Sequence, residues 1–113
     1  MSERQDLDWI SDMKEAIARV EEYTAGIDYQ EFLDDKKTQD AVVLNIGIIG
    51  EAVKKLSGEF KRLNKDIEWK VIAGMRDKLV HDYFGVNLDI LWDVVESKLP
   101  ELKAKLEQMN KSK

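Results

Sequence analysis

The sequence predicts an all-α fold, an up-and-down bundle of four main helices with one or two short ones. Three observations carry this. Apolar residues recur every three or four positions in each long stretch. No run alternates with the period of two that a half-buried strand needs. No internal repeat and no linker rich in Gly, Pro or Ser divides the 113 residues, so residues 1–113 form a single domain, large enough to bury a core.

Leu7, Ile10, Met13, Ile17 and Val20 mark the first helix, with charged residues between them. Asp6 is its expected N-cap, and Gly26 stands where a C-terminal cap would end it. The piece from Ile27 to Lys37 is mixed, with Tyr29 and Phe32 expected to fold back onto the core. A second helix is expected from about Thr38 or Asp40 to Leu56. Val42, Val43, Ile46, Ile49, Val53 and Leu56 form its stripe, and Ser57-Gly58 stops it. Gly47 and Gly50 lie inside it, where each costs roughly 1 kcal/mol against alanine. Two such residues one turn apart point to the close approach of another backbone.

Glu59 to Asn64 reads as a ragged turn. Asp66 is the expected N-cap for Trp69–Ala73, and Gly74 breaks or bends that helix before Met75. Asn87 caps a further helix with Leu88, Leu91, Trp92, Val95 and Leu99 inward. Pro100 either kinks this helix or opens a last one. Leu102, Leu106 and Met109 continue the pattern until a polar tail from about Asn110, which is expected to fray.

The absence of cysteine rules out disulfides and thiolate chemistry. The charged N-terminus and the lack of a long apolar run predict neither a signal peptide nor a membrane span, hence a cytoplasmic protein without membrane contact. A net charge of −5 argues against a general nucleic-acid coat. The charge is uneven, however. From Lys54 to Lys78 eight basic residues oppose four acidic ones, a local +4 that leaves −9 on the rest. A solvated helix face gives the same imbalance fairly often, and a local phosphate site is the sharper reading.

The segment Met75–Phe84 holds the only histidine, His81, with Arg76 five residues before it and Tyr83 two after. It alone combines a group that titrates near neutral pH, a fixed cation and a phenol. On a continuous helix Arg76 and His81 would diverge by about 140° and rise about 7.5 Å. Either the helix frays near His81, or a second copy completes the site across a twofold axis. RNA cleavage without a metal or other cofactor fits the second option. It needs a base for the 2′-hydroxyl proton, an acid for the leaving oxygen and a cation for the charge on phosphorus. A symmetric dimer supplies two histidines and two arginines, and imidazole serves both proton roles near neutral pH. The residues alone also allow the blander reading. A lone histidine is more often structural, Arg76 pairs equally well with Asp77, Asp82 or a glutamate on a neighbouring helix, and Tyr83 serves as a core aromatic.

Arg-x4-His-x-Tyr, here Arg76, His81 and Tyr83, resembles the signature of the HepT-like branch of the HEPN superfamily. The flanks Ile72–Asp77 and Tyr83–Val86, then Trp92 and Leu99-Pro100, resemble it too, as do Gln39–Val42 and Ile48–Ala52 upstream. The likeness runs from about Leu7 to Leu106. It implies a HEPN-like bundle that pairs as a homodimer. It further implies a toxin of a two-gene toxin–antitoxin module, a metal-independent ribonuclease acting on RNA. Arg76 and His81 would then be catalytic. Tyr83 would accept AMP from the cognate minimal nucleotidyltransferase antitoxin, placing a bulky anion beside the cleft. Glu51, Asp77 and Asp82 are the acids that would hold Arg76 or His81 in place.

Two positions depart from that family's pattern. Its second helix often carries a basic residue where this chain has Leu44 and an acidic one where it has Gly47. These departures and the acidic net charge leave a second reading, a non-catalytic helical dimer that serves as partner or substrate subunit of the nucleotidyltransferase. A purely structural helical dimer is the third.

Overall fold

Helix α1, Asp6–Thr24, buries Ile10, Met13, Ile17 and Val20 on one face, while Leu7 stays half exposed. The structure, a computed structural model, describes residues 4–82 and 85–111. Gln5 rather than Asp6 is the N-cap of α1, its N–H donating to Asp8 Oδ2 at 2.8 Å. Asp6 instead accepts from the N–H and the hydroxyl of Ser57, both at 2.8 Å. A carboxylate can cap its own helix or reach across to another chain segment, and only packing decides between them. This contact sets the start of α1 against the end of α3, so the two helices run antiparallel. Gly26 follows α1 at φ +78, the left-handed conformation that glycine adopts without strain.

The short helix α2, Tyr29–Leu33, is capped by Asp28. Phe32 is fully buried, with its ring 4.9 Å from Trp92, and Tyr29 lies 5.8 Å from the same indole. The Tyr29 hydroxyl also donates to Asp89. Both aromatics fold back as expected. Helix α3, Lys36–Lys55, begins about a turn earlier than the apolar stripe suggests, because Asp35 caps it. Asp35 accepts from the hydroxyl of Thr38 at 2.6 Å and from its N–H at 3.0 Å. The hydroxyl bond first, then the backbone bond, holds the Asp35 carboxyl below the ordinary carboxylate range. The cap therefore stays charged at neutral pH and is lost only as pH falls through that lowered value.

Ser57 does more than stop α3. It caps a short helix α4, Gly58–Leu63, by accepting from the Phe60 N–H at 3.1 Å. Helix α5 covers Trp69–Ala73 and α6 covers Met75–Leu79, with Gly74 between them as expected. Asp66 is not the cap of α5. Glu68 holds that position without a side-chain bond, and the Asp66 carbonyl accepts from Lys105 Nζ at 3.0 Å. After Leu79 the chain leaves the helix for β1, Val80–Asp82, which pairs antiparallel with β2, Gly85–Val86, bringing Val80 opposite Val86. No strand was expected. A three-residue strand is too short to show alternation, and its partner is set by tertiary pairing.

Asn87 caps helix α7, Leu88–Asp93, by accepting from the Ile90 N–H at 3.0 Å. A π-helical turn, Val94–Lys98, leads directly into α8, Leu99–Lys111. The Leu99 N–H reaches five residues back to the Val94 carbonyl. Pro100 has no N–H to continue the regular ladder, and its ring would crowd the carbonyl four residues earlier. The wider π turn absorbs both demands without ending the helix. Helix α8 runs past Asn110 to Lys111, further than the polar tail suggested.

Counted by continuous packing, the four main helices are α1, α3, the α5–α6 pair and α7–α8, with α2 and α4 as the short ones. The all-α class holds, with the ribbon as its one exception among the described residues. α1 and α3 form the principal pair, α5 and α6 lie on α3, and α8 packs on α1. Met13, Ile17, Ile46, Ile49, Leu79, Leu91, Leu99 and Leu106 fill the space between them. No helix among the described residues is long and apolar enough to cross a membrane.

Candidate functional site

The two glycines of α3 explain how α5 and α6 come to lie against it. A Cβ built on Gly50 would stand 3.2 Å from the Ala73 carbonyl oxygen, and one on Gly47 would stand 3.4 Å from Arg76 Cδ. Gly50 thus admits the backbone at the end of α5, and Gly47 admits the stem of Arg76. The predicted close approach of another backbone is real at Gly50, whereas the neighbour of Gly47 is a side chain. Together they place the motif arginine on the surface of α3.

Arg76 lies at the edge of an open groove of about 650 Å³ between α1, α3 and α6. Trp9 and Asp12 come from α1, Val43, Leu44, Gly47, Ile48 and Glu51 from α3, and Asp77 from α6. Leu44 is 64% exposed and lines the groove beside half-buried Trp9, Val43 and Ile48, so the apolar surface there is contiguous rather than scattered. The groove is acidic. Asp12, Asp40, Glu51 and Asp77 face it, against Lys54 and Arg76. Asp12 is bound by Arg4 at 2.9 Å, and Glu51 lies 3.8 Å from Lys54. Among the described residues the Arg76 guanidinium has no carboxylate within ion-pair distance.

The structure brings Arg76, Asp77 and Glu51 to one groove. Glu51 stands nearer to Lys54 than to any arginine partner, and Asp77 is exposed. His81 and Asp82 belong to β1, not to a helix. The divergence of about 140° rested on a continuous helix, and α6 ends at Leu79. That geometric reason for a second copy therefore falls away, and the helix termination before His81 is the alternative that holds. Tyr83 lies outside the described residues. Trp9 and Asp12 went unremarked in the sequence, and Asp40 was read only as a possible start of α3, since nothing local marks any of them as part of a groove.

The chain matches the family model described as "Ribonuclease HepT-like" over residues 13–109. A relative from Thermococcus cleftensis, "Probable ribonuclease HepT", is 47% identical over 108 residues, which cover 96% of this chain and 98% of the relative. "Putative RNase MJ0127" of Methanocaldococcus jannaschii is 40% identical over 103 residues, 91% of this chain and 85% of the relative. No solved structure matches the chain.

Proposed function

Because the chain belongs to the Ribonuclease HepT-like family, we propose that it is a metal-independent endoribonuclease acting at a composite site between two copies. The observation that carries this reading is Arg76, seated over Gly47 in an open groove and unpaired among the described residues, five residues before the only histidine. A cation placed there stabilises charge that develops on phosphorus, an effect worth several kcal/mol once substrate and partner fix its position.

The chemistry needs two proton transfers. In the proposed dimer His81 of one copy takes the 2′-hydroxyl proton as that oxygen attacks phosphorus. His81 of the other copy protonates the departing 5′ oxygen. Arg76 of each copy faces the phosphate. The exposed Leu44 beside half-buried Trp9, Val43 and Ile48 supports a groove that a second copy covers. Purified protein is expected to cut single-stranded RNA in the presence of EDTA and to leave 2′,3′-cyclic phosphate ends. A strand with 2′-deoxy sugars throughout should resist. Cleavage of that strand at a comparable rate would rule out the 2′-hydroxyl mechanism.

The same reading makes the chain the toxin of a toxin–antitoxin module, with Tyr83 the AMP acceptor for a minimal nucleotidyltransferase. An adenylate there would fill the cleft and repel the phosphates of RNA. Incubation with that enzyme, ATP and magnesium should raise the mass of the intact chain by one or more adenylates, and Tyr83→Phe should abolish the gain. A gain that survives the substitution means that another residue is the acceptor.

One observation favours a second reading. Four carboxylates against two cations make the groove a poor host for RNA on its own. In this reading the chain is a non-catalytic dimer that serves the nucleotidyltransferase as partner or substrate, so Tyr83 is modified while no RNA is cut.

A further inference from the structure

A second concavity lies on the other side of α5. Its wall is the end of α3, α4 and the stretch leading into α5. Lys54, Lys61, Arg62, Lys65 and Lys70 line about 670 Å³ of open space against a single carboxylate, Glu68. Its apolar lining is buried Val53 and Trp69 with exposed Val71. Among the described residues none of Lys61, Arg62, Lys65 and Lys70 has a carboxylate within ion-pair distance, and only Lys54 is engaged, by Glu51 at 3.8 Å. The positive charge is therefore not cancelled locally. It stands on a chain of net charge −5, whose other surfaces repel a polyanion. Such a patch concentrates the field.

The two concavities adjoin, since Lys54 and Ala73 line both. This matters because the Arg76 groove has an excess of carboxylates. Affinity for a phosphate backbone must then come from next to the groove rather than from within it. We infer that the Lys61–Lys70 concavity is the docking track for single-stranded RNA, holding the phosphates of a strand that runs over the Lys54–Ala73 edge to Arg76. The inference rests on the ribonuclease reading and adds where the substrate binds. The track holds the backbone as a polyanion and reads no base. Arg76 and His81 act on one phosphodiester, while the lysines set how long a strand is retained.

The test uses the full chain carrying His81→Ala, so that RNA is bound and not cut. A labelled single strand of about 15 nucleotides spans the groove and the track. Adding Lys61→Glu, Arg62→Glu and Lys65→Glu together is expected to weaken binding about 50-fold at 0.15 M salt. The slope of log affinity against log salt should fall by about 2, because each single-strand phosphate contact contributes roughly 0.7. Lys36→Glu with Lys37→Glu, an exposed pair at the start of α3 outside the track, should change affinity less than about 2-fold. An unchanged melting temperature shows that the triple variant is folded. In the otherwise wild-type chain the triple change should slow the long strand far more than a dinucleotide, which cannot reach the track.

RNA affinity equal in the triple variant and its parent overturns the proposal, as does an equal loss in the Lys36/Lys37 control. Polyglutamate that binds the wild-type chain more tightly than RNA at matched charge also overturns it, by marking the patch as a site for acidic protein. Failure of the ribonuclease reading looks different. The wild type then cuts no RNA, while the binding measurements still decide whether the track exists.

Discussion

His81→Ala is expected to reduce RNA cleavage by about 10²–10⁴-fold, the range for losing a positioned acid or base. His81 sits in β1, a short ribbon strand beyond the end of α6. A melting temperature measured alongside separates lost chemistry from lost folding. Induced expression of the wild type should arrest growth and deplete RNA, and the variant should do neither. Equal behaviour of the two would sink the catalytic assignment. Mixed dimers sharpen the test. If one copy supplies the base and the other the acid, a dimer of one wild-type and one His81→Ala chain lacks one of them and should fall nearly as far as the double variant. A mixed dimer that retains half the activity would mean that each chain is self-sufficient.

The second large effect is on stability. Gly50→Val places a Cβ 3.2 Å from the Ala73 carbonyl oxygen, a backbone atom that moves only with α5. Its two methyl groups reach further still. Overpacking of this kind costs about 2–3 kcal/mol, which for a chain of this size lowers the melting temperature by roughly 10 °C. Gly47→Ala is the contrasting case. Its Cβ would meet Arg76 Cδ at 3.4 Å, part of a flexible side chain at the surface. The strain is small, so the gain in helix propensity, about 1 kcal/mol, should prevail and raise the melting temperature. Thermal unfolding of the two variants checks both signs. A Gly50→Val chain as stable as the wild type would show that the α3–α5 contact is loose.

Helix caps show why sequence reading succeeds in one place and fails in another. Asn87 was legible because it is the one good cap ahead of a clear apolar stripe. Asp6 was not, since Gln5 caps α1 while Asp6 turns to Ser57, fifty-one residues away in sequence. Asp35 was hidden for a different reason. Lys36 and Lys37 follow it, and two charged residues extend no stripe, so α3 seemed to begin later. The π turn at Val94–Lys98 has no local signature beyond Pro100, which allowed a kink or a new helix equally well.

The candidate site divides along the same line. Arg76, His81 and Tyr83 stand out by residue type and spacing, and the match over residues 13–109 places the chain in the family that they suggested. Where Arg76 points, and what surrounds it, was not legible. The groove is built from α1, α3 and α6, and its carboxylates come from positions 12, 40, 51 and 77. Helix spacing relates only Asp40 and Glu51, eleven residues apart on one face of α3, and ties neither to Asp12 on α1 or Asp77 on α6.

By itself the sequence determined the helical class, the core stripes, the glycine contact on α3 and the motif in Met75–Phe84. Each of these depends on neighbours within a few turns, where periodicity and residue type act directly. Tertiary structure alone decided that α6 stops at Leu79, that His81 enters a strand, and that acidic and basic concavities meet at Lys54 and Ala73. Those outcomes depend on which distant segments lie side by side. Val80 needs Val86 before it can form a strand, and charges on α3, α4 and α5 become one surface only when the helices pack.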